Sequence, residues 1–567
     1  MTAAPRTRRA ALLVGVAAFA VFLTNLRPMG SGDTVGARLL PFSLLREGNL
    51  DLDEFGWLRA TVSRRPYFLQ RDGAGHWRSK YPVATPLVAA PLAAPFVRWA
   101  RAHDIEDGDA RFRLLTAVFE RLSAALIGAI SVALVLLAAR EVAPLSWAVA
   151  AAVFYAVGTS TWVYSQALWQ HGLAEAAIAG AALGALRPAS GARALLTGAA
   201  AALALAARPT TFLVAAILGL YMWRQRRAGF WRFAGAFAAG ALVLVAYNWT
   251  VMERATGGYS PRALTMPGLE RLLGVLVSPS RGLLVYCPLA LLALTALRRR
   301  SEPIALRYFA LALPAYVAFF ASTRIWWGGF SYGPRFFTDI MPLVVLCALP
   351  SARELWARRG GRALLVAGAA WGVVVQAVGV YCDDNDWNNF PVSIDRQTAR
   401  LWSWSDPQIL RALRSGWHGW DFAPLLRQLV TDPRPAPLVA LESSDLSGSI
   451  EAVAAPPWHC RAGAWCPVDV RVANRSAASV WPGYSDFGNL DVGMGAVWRA
   501  GDAVEPGVGG FVPLRRHIGP GDVAQVRVSI EAPRRAGTYQ LELVLVQNLG
   551  GGGRRGEAAL VVPVIVE

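Results

Sequence analysis

Long apolar runs separated by arginine clusters fill residues 1–380 of the sequence. A helix needs about 20 apolar residues to cross the hydrocarbon core of a bilayer. Arginine carries nearly all of the positive charge behind the formal net charge of +18, and much of it lies between the runs. Cytosolic loops of membrane proteins have this composition. The pattern predicts a polytopic α-helical membrane protein, and it makes nucleic-acid binding a poor explanation of the charge.

The arginine clusters also predict which loops face the cytosol. Arg6, Arg8 and Arg9 precede the first apolar run and favour a cytosolic start. Further clusters separate the later runs, so that the chain is expected to cross the membrane about eleven times. The predicted spans lie near 10–26, 114–139, 145–163, 168–186, 193–207, 210–223, 233–249, 283–297, 308–322, 337–350 and 363–380.

This count places residues 27–113 outside the cytosol as one long first loop. Within it, the apolar stretch from Tyr81 to Ala100 contains four prolines. Prolines interrupt helix hydrogen bonding, so the stretch fits an interfacial or re-entrant segment better than a regular span. The alternative is a conventional span there, and it would move Arg140 to the outside.

The chain changes character after the last predicted span. Residues 381–445 are rich in Trp, Asp and Pro and are expected to form a connecting segment, and everything from residue 381 onward is expected to lie outside the cytosol. Residues 446–567 contain short alternating segments with turn sequences between them, which predict an all-β sandwich. Cys460 and Cys466 lie close together in this domain, and an oxidising compartment would favour a disulfide between them. Cys287 and Cys347 lie in apolar spans and are interpreted as packing residues.

Asp33 follows the first span and should emerge at the outer membrane boundary. A carboxylate there can act as a base on a substrate that arrives through the lipid. The alternative is a helix N-cap or a solvated loop acid. The transporter alternative would need ionisable groups at the membrane midplane, but the span centres are almost free of charge.

The other outer loops gather arginines, aromatic residues and carboxylates at the same face as Asp33. Arg281 and Arg335 could hold phosphate oxygens in bidentate fashion, or could snorkel to the interface. Trp327 could equally be an aromatic-belt anchor. Lys80 is the one lysine of the chain. Candidate substrate-binding residues in these loops are His171, Glu253, Tyr259, Trp327 and Tyr332.

The acid after the first span, the Lys80-Tyr81-Pro82 entry to a proline-rich segment and the C-terminal β-domain resemble the GT-C glycosyltransferases. Within that superfamily, residues 10–380 are similar to the protein O-mannosyltransferase and lipid A aminoarabinose transferase group. The resemblance implies a polyprenyl-phosphate sugar donor, with Asp33 as the catalytic acid of the first loop. It places Lys80 and Tyr81 near the donor phosphate. Thr34 follows Asp33, so the acid pair often seen in the mannosyltransferases is absent.

The function predicted from these features is sugar transfer to a glycan, lipid or protein acceptor at the periplasmic face of a bacterial inner membrane. One well-placed carboxylate favours single displacement with inversion. No cofactor is expected. A divalent metal is not expected either, although the acidic cluster Asp383, Asp384 and Asp386 could change that. The alternatives are an O-antigen ligase or polymerase type of envelope enzyme and a non-catalytic envelope scaffold.

The topology can be tested by cysteine labelling. Cysteines introduced near Gly73 and Ser444 should be blocked in intact cells by a membrane-impermeant maleimide. A cysteine at Ser190, in a predicted cytosolic loop, is the matched control and should react only after lysis. The unsubstituted protein gives the background from the native cysteines. Protection of either outer site until lysis would contradict the predicted outer face.

Overall fold

The computed structural model shows a mainly helical region up to residue 417 and a β domain after it. It describes residues 5–25, 31–56, 58, 67–107, 110–259, 264–299, 303–383, 386–389, 393–417, 440–482, 491–514, 518–548 and 553–567. The α-helices are α1 (Pro5–Phe22), α2 (Gly32–Arg46), α3 (Ala84–Ala102), α4 (Ala110–Arg140), α5 (Leu145–Gly158), α6 (Thr161–Tyr164), α7 (Gln170–Leu186), α8 (Gly191–Ala207), α9 (Phe212–Gln225), α10 (Arg227–Met252), α11 (Leu269–Val277), α12 (Leu283–Tyr286), α13 (Ile304–Ala310), α14 (Ala312–Ala321), α15 (Met341–Trp356), α16 (Arg359–Tyr381), α17 (Asp386–Asn389) and α18 (Gln408–Ser415). The 3₁₀ helices are Pro209–Thr211, Pro288–Leu297, Arg335–Ile340, Thr398–Trp402 and Ser443–Leu446.

Helical segments coincide with each of the predicted spans. Within the part of the chain that the structure describes, five helical segments are long and apolar enough to cross a membrane by length and composition. They are Arg111–Arg140, Arg227–Met252, Ile304–Ala321, Arg335–Trp356 and Arg359–Tyr381. The apolar helices Leu145–Gly158, Gly191–Ala207 and Pro288–Leu297 are shorter. The expected number of eleven crossings therefore stays a prediction.

The apolar side chains of α10 are largely uncovered. In the most apolar 18-residue stretch of this helix, only 6% of the residues are buried inside the protein. Trp231 is 76% exposed and Val243 is 71% exposed. Contiguous apolar surface of this kind is rare on soluble monomers. Contact with lipid explains why these side chains point outward.

The first loop folds against the bundle. Ser31 caps α2, because its hydroxyl accepts a hydrogen bond from the backbone N–H of Asp33 at 3.2 Å. Strands β1 (Leu69–Arg71) and β2 (Trp77–Ser79) form an antiparallel hairpin beside it. Helix α3 carries Pro91 and Pro95 in its interior and packs against α2. The loop thus brings α2 and the end of the hairpin together.

The C-terminal domain contains two sheets of mostly antiparallel strands, and their buried side chains share one hydrophobic core. Its strands are β3 (Gly448–Ala452), β4 (Trp458–Cys460), β5 (Trp465–Asn474), β6 (Val492–Ala500), β7 (Ala503–Pro513), β8 (Val523–Glu531), β9 (Gly537–Asn548) and β10 (Gly553–Val566). One sheet has the order β4-β10-β9-β6-β7 and the other has the order β3-β5-β8. Val470 and Val528 of the smaller sheet and Trp498 and Leu543 of the larger sheet share that core. This is the layer arrangement of a β-sandwich.

Cys460 ends β4 and Cys466 lies in β5, and the structure joins them by a disulfide with a Cα–Cα distance of 5.4 Å. Cys287 and Cys347 are buried thiols. A bridge that closes so short a loop should contribute on the order of 2–3 kcal/mol to the free energy of unfolding.

The disulfide is expected in the protein isolated from membranes without reductant. Trypsin cleaves after Arg461, which lies between the two cysteines, so the bridge should hold two peptides together in mass spectrometry. Reduction should separate them. Two free thiols at Cys460 and Cys466 in the non-reduced digest would contradict the assignment, and Cys347 serves as the reduced control.

Candidate active site

The Asp33 carboxylate is buried and takes hydrogen bonds from three separate segments. Asp33 lies in the first turn of α2 and is only 7% exposed. Its Oδ1 accepts from the hydroxyl of Tyr67 at 3.0 Å and from the hydroxyl of Tyr81. Its Oδ2 accepts from Nη2 of Arg335 at 2.5 Å. Both carboxylate oxygens are therefore engaged.

The surroundings keep Asp33 ionised. Burial by itself would raise the pKa of this carboxyl, because the charged form loses its hydration. The Arg335 charge and the hydrogen bonds from Tyr81, Arg335 and Tyr67 act in the opposite direction and hold the pKa below the ordinary aspartate value. Burial and the Asp33 charge raise the pKa of both Tyr67 and Tyr81, so that both phenols stay protonated as donors.

Arg335 connects Asp33 to a second buried ion pair. Its Nε donates to Nε2 of His171 at 3.2 Å. The Nδ1 of His171 lies 2.7 Å from Oδ1 of Asp339, and a carboxylate can only accept there. Nε of Arg208 donates to Oδ2 of Asp339 at 2.8 Å. The resulting chain of contacts runs from Asp33 through Arg335, His171 and Asp339 to Arg208.

Aromatic rings lie around this series of contacts between Asp33 and Arg208. The Arg335 guanidinium lies 4.4 Å from the centre of the Trp169 ring, within cation–π range. The rings of Tyr81 and Tyr259 meet edge to face at 6.4 Å. Burial raises the pKa of Tyr259, whose surroundings also include the charges of Arg208 and Asp33. Lys80 precedes Tyr81, and its backbone N–H donates to the carbonyl of Phe68 at 2.8 Å.

The structure brings Asp33, Tyr81, His171 and Arg335 into one network, with Tyr259 against Tyr81. Glu253 lies apart from that network as a left-handed, exposed residue that ends α10. Its carboxylate lies beside Gly73 of the first loop.

Arg281 belongs to a second polar cluster. Its guanidinium donates to the Trp327 carbonyl at 2.9 Å, to Oδ1 of Asn388 at 2.5 Å, and to the side chain of Gln408. It also donates to the carbonyl of Ser280 at 2.8 Å. Its hydrogen bonds thus go to protein acceptors and join the loops around Ser280 and Trp327 to α17 and α18.

Trp327 and Tyr332 also hold the outer loops in place. Nε1 of Trp327 donates to Asp395 at 3.0 Å. The hydroxyl of Tyr332 donates to the Val375 carbonyl at 2.8 Å. Both side chains are buried in the loop that leads to Arg335.

Four residues of the network were not among the sequence-based site candidates: Tyr67, Trp169, Arg208 and Asp339. Asp339 carried a usable signal, since it is an acid at the start of an apolar run, and such residues are usually functional in membranes. Arg208 lies in the short break between the predicted spans 193–207 and 210–223, where an arginine is expected at a membrane interface as readily as in a site. Tyr67 and Trp169 gave no signal that separated them from other aromatic residues.

Among the described residues, the side chains that come close enough together to bind a metal ion do not include Asp33. Ligand atoms of Asp51, Asp53 and His76 all lie within 4.8 Å of one another. His76 Nδ1 lies 2.7 Å from Oδ2 of Asp53, and Arg78 lies 3.7 Å from Asp51. Of the acidic cluster named from the sequence, Asp383 is buried and Asp384 lies outside the described residues.

No protein-family model and no curated protein sequence matches the chain. Solved structures of the Archaeoglobus fulgidus oligosaccharyltransferase do match. Its complex with Zn and sulfate has 13% identity and a TM-score of 0.44, and the match covers 70% of this chain and 57% of that one. The apo form has 12% identity and a TM-score of 0.39, with 75% and 58% covered. The complex of this enzyme, AglB, with an inhibitory peptide and a dolichol-phosphate has 12% identity and a TM-score of 0.38, with 70% and 60% covered.

The chain therefore spans less than two thirds of the length of the oligosaccharyltransferase that it matches. The archaeal enzyme is a GT-C superfamily glycosyltransferase, the superfamily that the sequence resembles. At these identities and TM-scores, the likeness does not by itself assign an activity to this chain.

The contacts of Arg281 predict a role in stability. Arg281→Ala leaves several buried acceptors without donors, so the free energy of unfolding should fall by at least about 2 kcal/mol. Thermal unfolding of the purified protein in detergent measures this. Arg324→Ala, an exposed residue of the neighbouring loop, is the matched control and should leave the midpoint unchanged. A normal midpoint in Arg281→Ala would free this arginine for a role in ligand binding.

Proposed function

We propose that this protein is an integral-membrane glycosyltransferase that moves a sugar from a polyprenyl-phosphate donor to an acceptor at the outer face of the membrane. The observation that carries the proposal is the buried Asp33–Arg335 ion pair, in which a base and an anion-binding group meet at one end of the helical bundle. A membrane-borne phosphate ester and an acceptor hydroxyl need such a pair.

Asp33 accepts the proton of the acceptor hydroxyl as that oxygen bonds to the anomeric carbon of the sugar. The bond between the anomeric carbon and the phosphate oxygen breaks in the same step, and the lipid phosphate leaves with the electron pair. Arg335 stabilises the departing phosphate, because a guanidinium pairs well with phosphate oxygens. Single displacement at the anomeric carbon inverts its configuration.

Donor binding also prepares the base. In the structure, Nη2 of Arg335 donates to Oδ2 of Asp33. A donor phosphate competes with Asp33 for the same guanidinium, and its binding releases Oδ2 for the acceptor hydroxyl. Tyr67 and Tyr81 remain on Oδ1 and hold the carboxylate in place.

The remaining candidates divide by position. Lys80 adds positive charge beside the donor phosphate, and Tyr81 and Tyr259 line the same region. His171 acts on substrate through Arg335. Arg281, Trp327 and Tyr332 hold the outer loops, since their polar groups are engaged within the protein. Glu253 lies at the end of α10 beside Gly73 of the first loop, and we propose that it meets the acceptor.

We assign residues 1–380 to the catalytic membrane domain, 381–445 to the connecting segment and 446–567 to a β-sandwich domain on the periplasmic side of a bacterial inner membrane. Glu531 of the β domain lies within electrostatic reach of Arg400 and Arg411 of the connecting segment. This proximity of charges supports placing both at the same side of the membrane.

Asp33→Asn should abolish transfer while leaving expression intact. The amide keeps the size of the carboxylate but cannot take the proton, and loss of a general base typically costs about 10²–10⁴-fold in rate. Asp51→Asn is the matched control, since Asp51 is a buried acid of the same loop that pairs with Arg78. Lys80→Ala should instead weaken donor binding.

Transfer is measured in proteoliposomes with undecaprenyl-phosphate-linked hexoses and pentoses as donors and membrane glycans as acceptors. Near-normal turnover in Asp33→Asn together with an inactive Asp51→Asn would move the base to the Asp51 region. Loss of transfer on removal of residues 446–567, with Asp33→Asn fully active, would favour a scaffold for another enzyme.

A further inference from the structure

We infer that His171, Asp339 and Arg208 form a positioning unit that fixes the Arg335 guanidinium for the donor phosphate. This inference rests on the proposed function and extends it to residues that do not touch the reacting atoms. The three side chains come from separate elements, namely α7, the 3₁₀ helix Arg335–Ile340 and the break between α8 and α9.

The hydrogen bonds assign a protonation state to His171. Asp339 accepts from Nδ1, so the Nε2 lone pair faces Arg335 Nε at 3.2 Å and Arg208 Nη1 at 3.3 Å. Both arginines can only donate. The neutral imidazole is therefore the form that fits, and it provides the acceptor that sets the orientation of the Arg335 plane.

Within the positioning unit, the positive charge of Arg208 compensates the negative charge of Asp339 without any contribution from Arg335. Arg208 compensates Asp339 through the 2.8 Å contact, and Thr210 adds a hydrogen bond to the same Oδ2 at 3.3 Å. The positive charge of Arg335 is then balanced by Asp33 alone. When a donor phosphate takes the place of Asp33, the guanidinium keeps its hydrogen bond to His171 and its orientation.

The residues of the positioning unit are buried, so the orientation of the Arg335 guanidinium depends on its hydrogen bond to His171. His171 and Asp339 are fully buried, and Arg208 is 5% exposed. Water therefore does not replace a lost acceptor at Arg335 Nε. Loss of His171 or of the Asp339 charge should turn the guanidinium away from its phosphate-binding geometry and reduce selectivity for a phosphate over a neutral headgroup.

Glu175 offers a matched control. It lies one helical turn beyond His171 on α7 and is as deeply buried. Its Oε1 accepts from the hydroxyls of Thr161 at 2.6 Å and Tyr155 at 3.0 Å. Glu175→Gln thus perturbs a buried carboxyl of the same helix without breaking the hydrogen bonds between His171 and Arg335.

The experiment measures binding of undecaprenyl phosphate and of undecaprenol to the full-length protein in nanodiscs. The ratio of the two affinities reports phosphate recognition and is insensitive to general changes of the lipid groove. His171→Leu and Asp339→Asn should each reduce this ratio about tenfold, the equivalent of one hydrogen bond to a charged group. His171→Gln, whose amide oxygen can accept from Arg335, should restore part of it, and Glu175→Gln should leave it unchanged.

The outcomes separate the two proposals. A normal ratio in folded His171→Leu and Asp339→Asn, with the ratio lost in Arg335→Gln, would overturn the positioning unit and leave the proposed function standing. A normal ratio in Arg335→Gln would remove the phosphate site of the proposed function itself. If His171→Leu and Asp339→Asn do not fold, the inference is decided by His171→Gln, which must lie between wild type and Arg335→Gln, and equality with wild type would overturn it.

Discussion

The ion pair between Asp33 and Arg335 is the contact on which the arrangement of the site depends. It joins residues 302 positions apart and fixes the first loop to the last third of the helical region. A buried ion pair gains little net stability, because removing both charges from water costs about as much as their attraction returns. Burial of such a pair at a candidate site favours a functional explanation over a structural one. The tyrosines that hold Asp33 and the histidine that holds Arg335 then follow from the need to satisfy each remaining polar atom.

A second polar cluster, around Arg281, holds the loops that surround the site. Its guanidinium contacts the Trp327 loop, the α17 residue Asn388 and the α18 residue Gln408. Since Arg335 follows the Trp327 loop directly, the Arg281 cluster determines the entry of Arg335 into its helix. Arg281 therefore holds the loops together, and Arg335, at the same predicted face, is the arginine that we propose for the donor phosphate.

The sequence was sufficient to group several of these residues together, but not to predict their partners. Counting apolar runs and arginine clusters placed Asp33, His171 and Arg335 at one face, and the structure brings these three into contact. The same reasoning grouped Arg281 with Arg335, because composition gives the depth of a residue and not its direction around the helix axis. Asp339 was missed because an acid at the start of an apolar run resembles a loop residue until its arginine partner, Arg208, is known to lie beside it.

The distribution of buried charge also separates a surface enzyme from a transporter. Arg208, Asp339, His171, Arg335 and Asp33 are linked to one another, so they lie at a single level of the bundle. Glu175, one turn away, is held by hydroxyl groups. A transport path requires ionisable groups that are reached in turn from the two sides of the membrane. Among the described residues, this charge-balanced network does not form such a series of sites. The function proposed above needs a base for one substrate and a cation for the other, and the Asp33–Arg335 pair contains both groups.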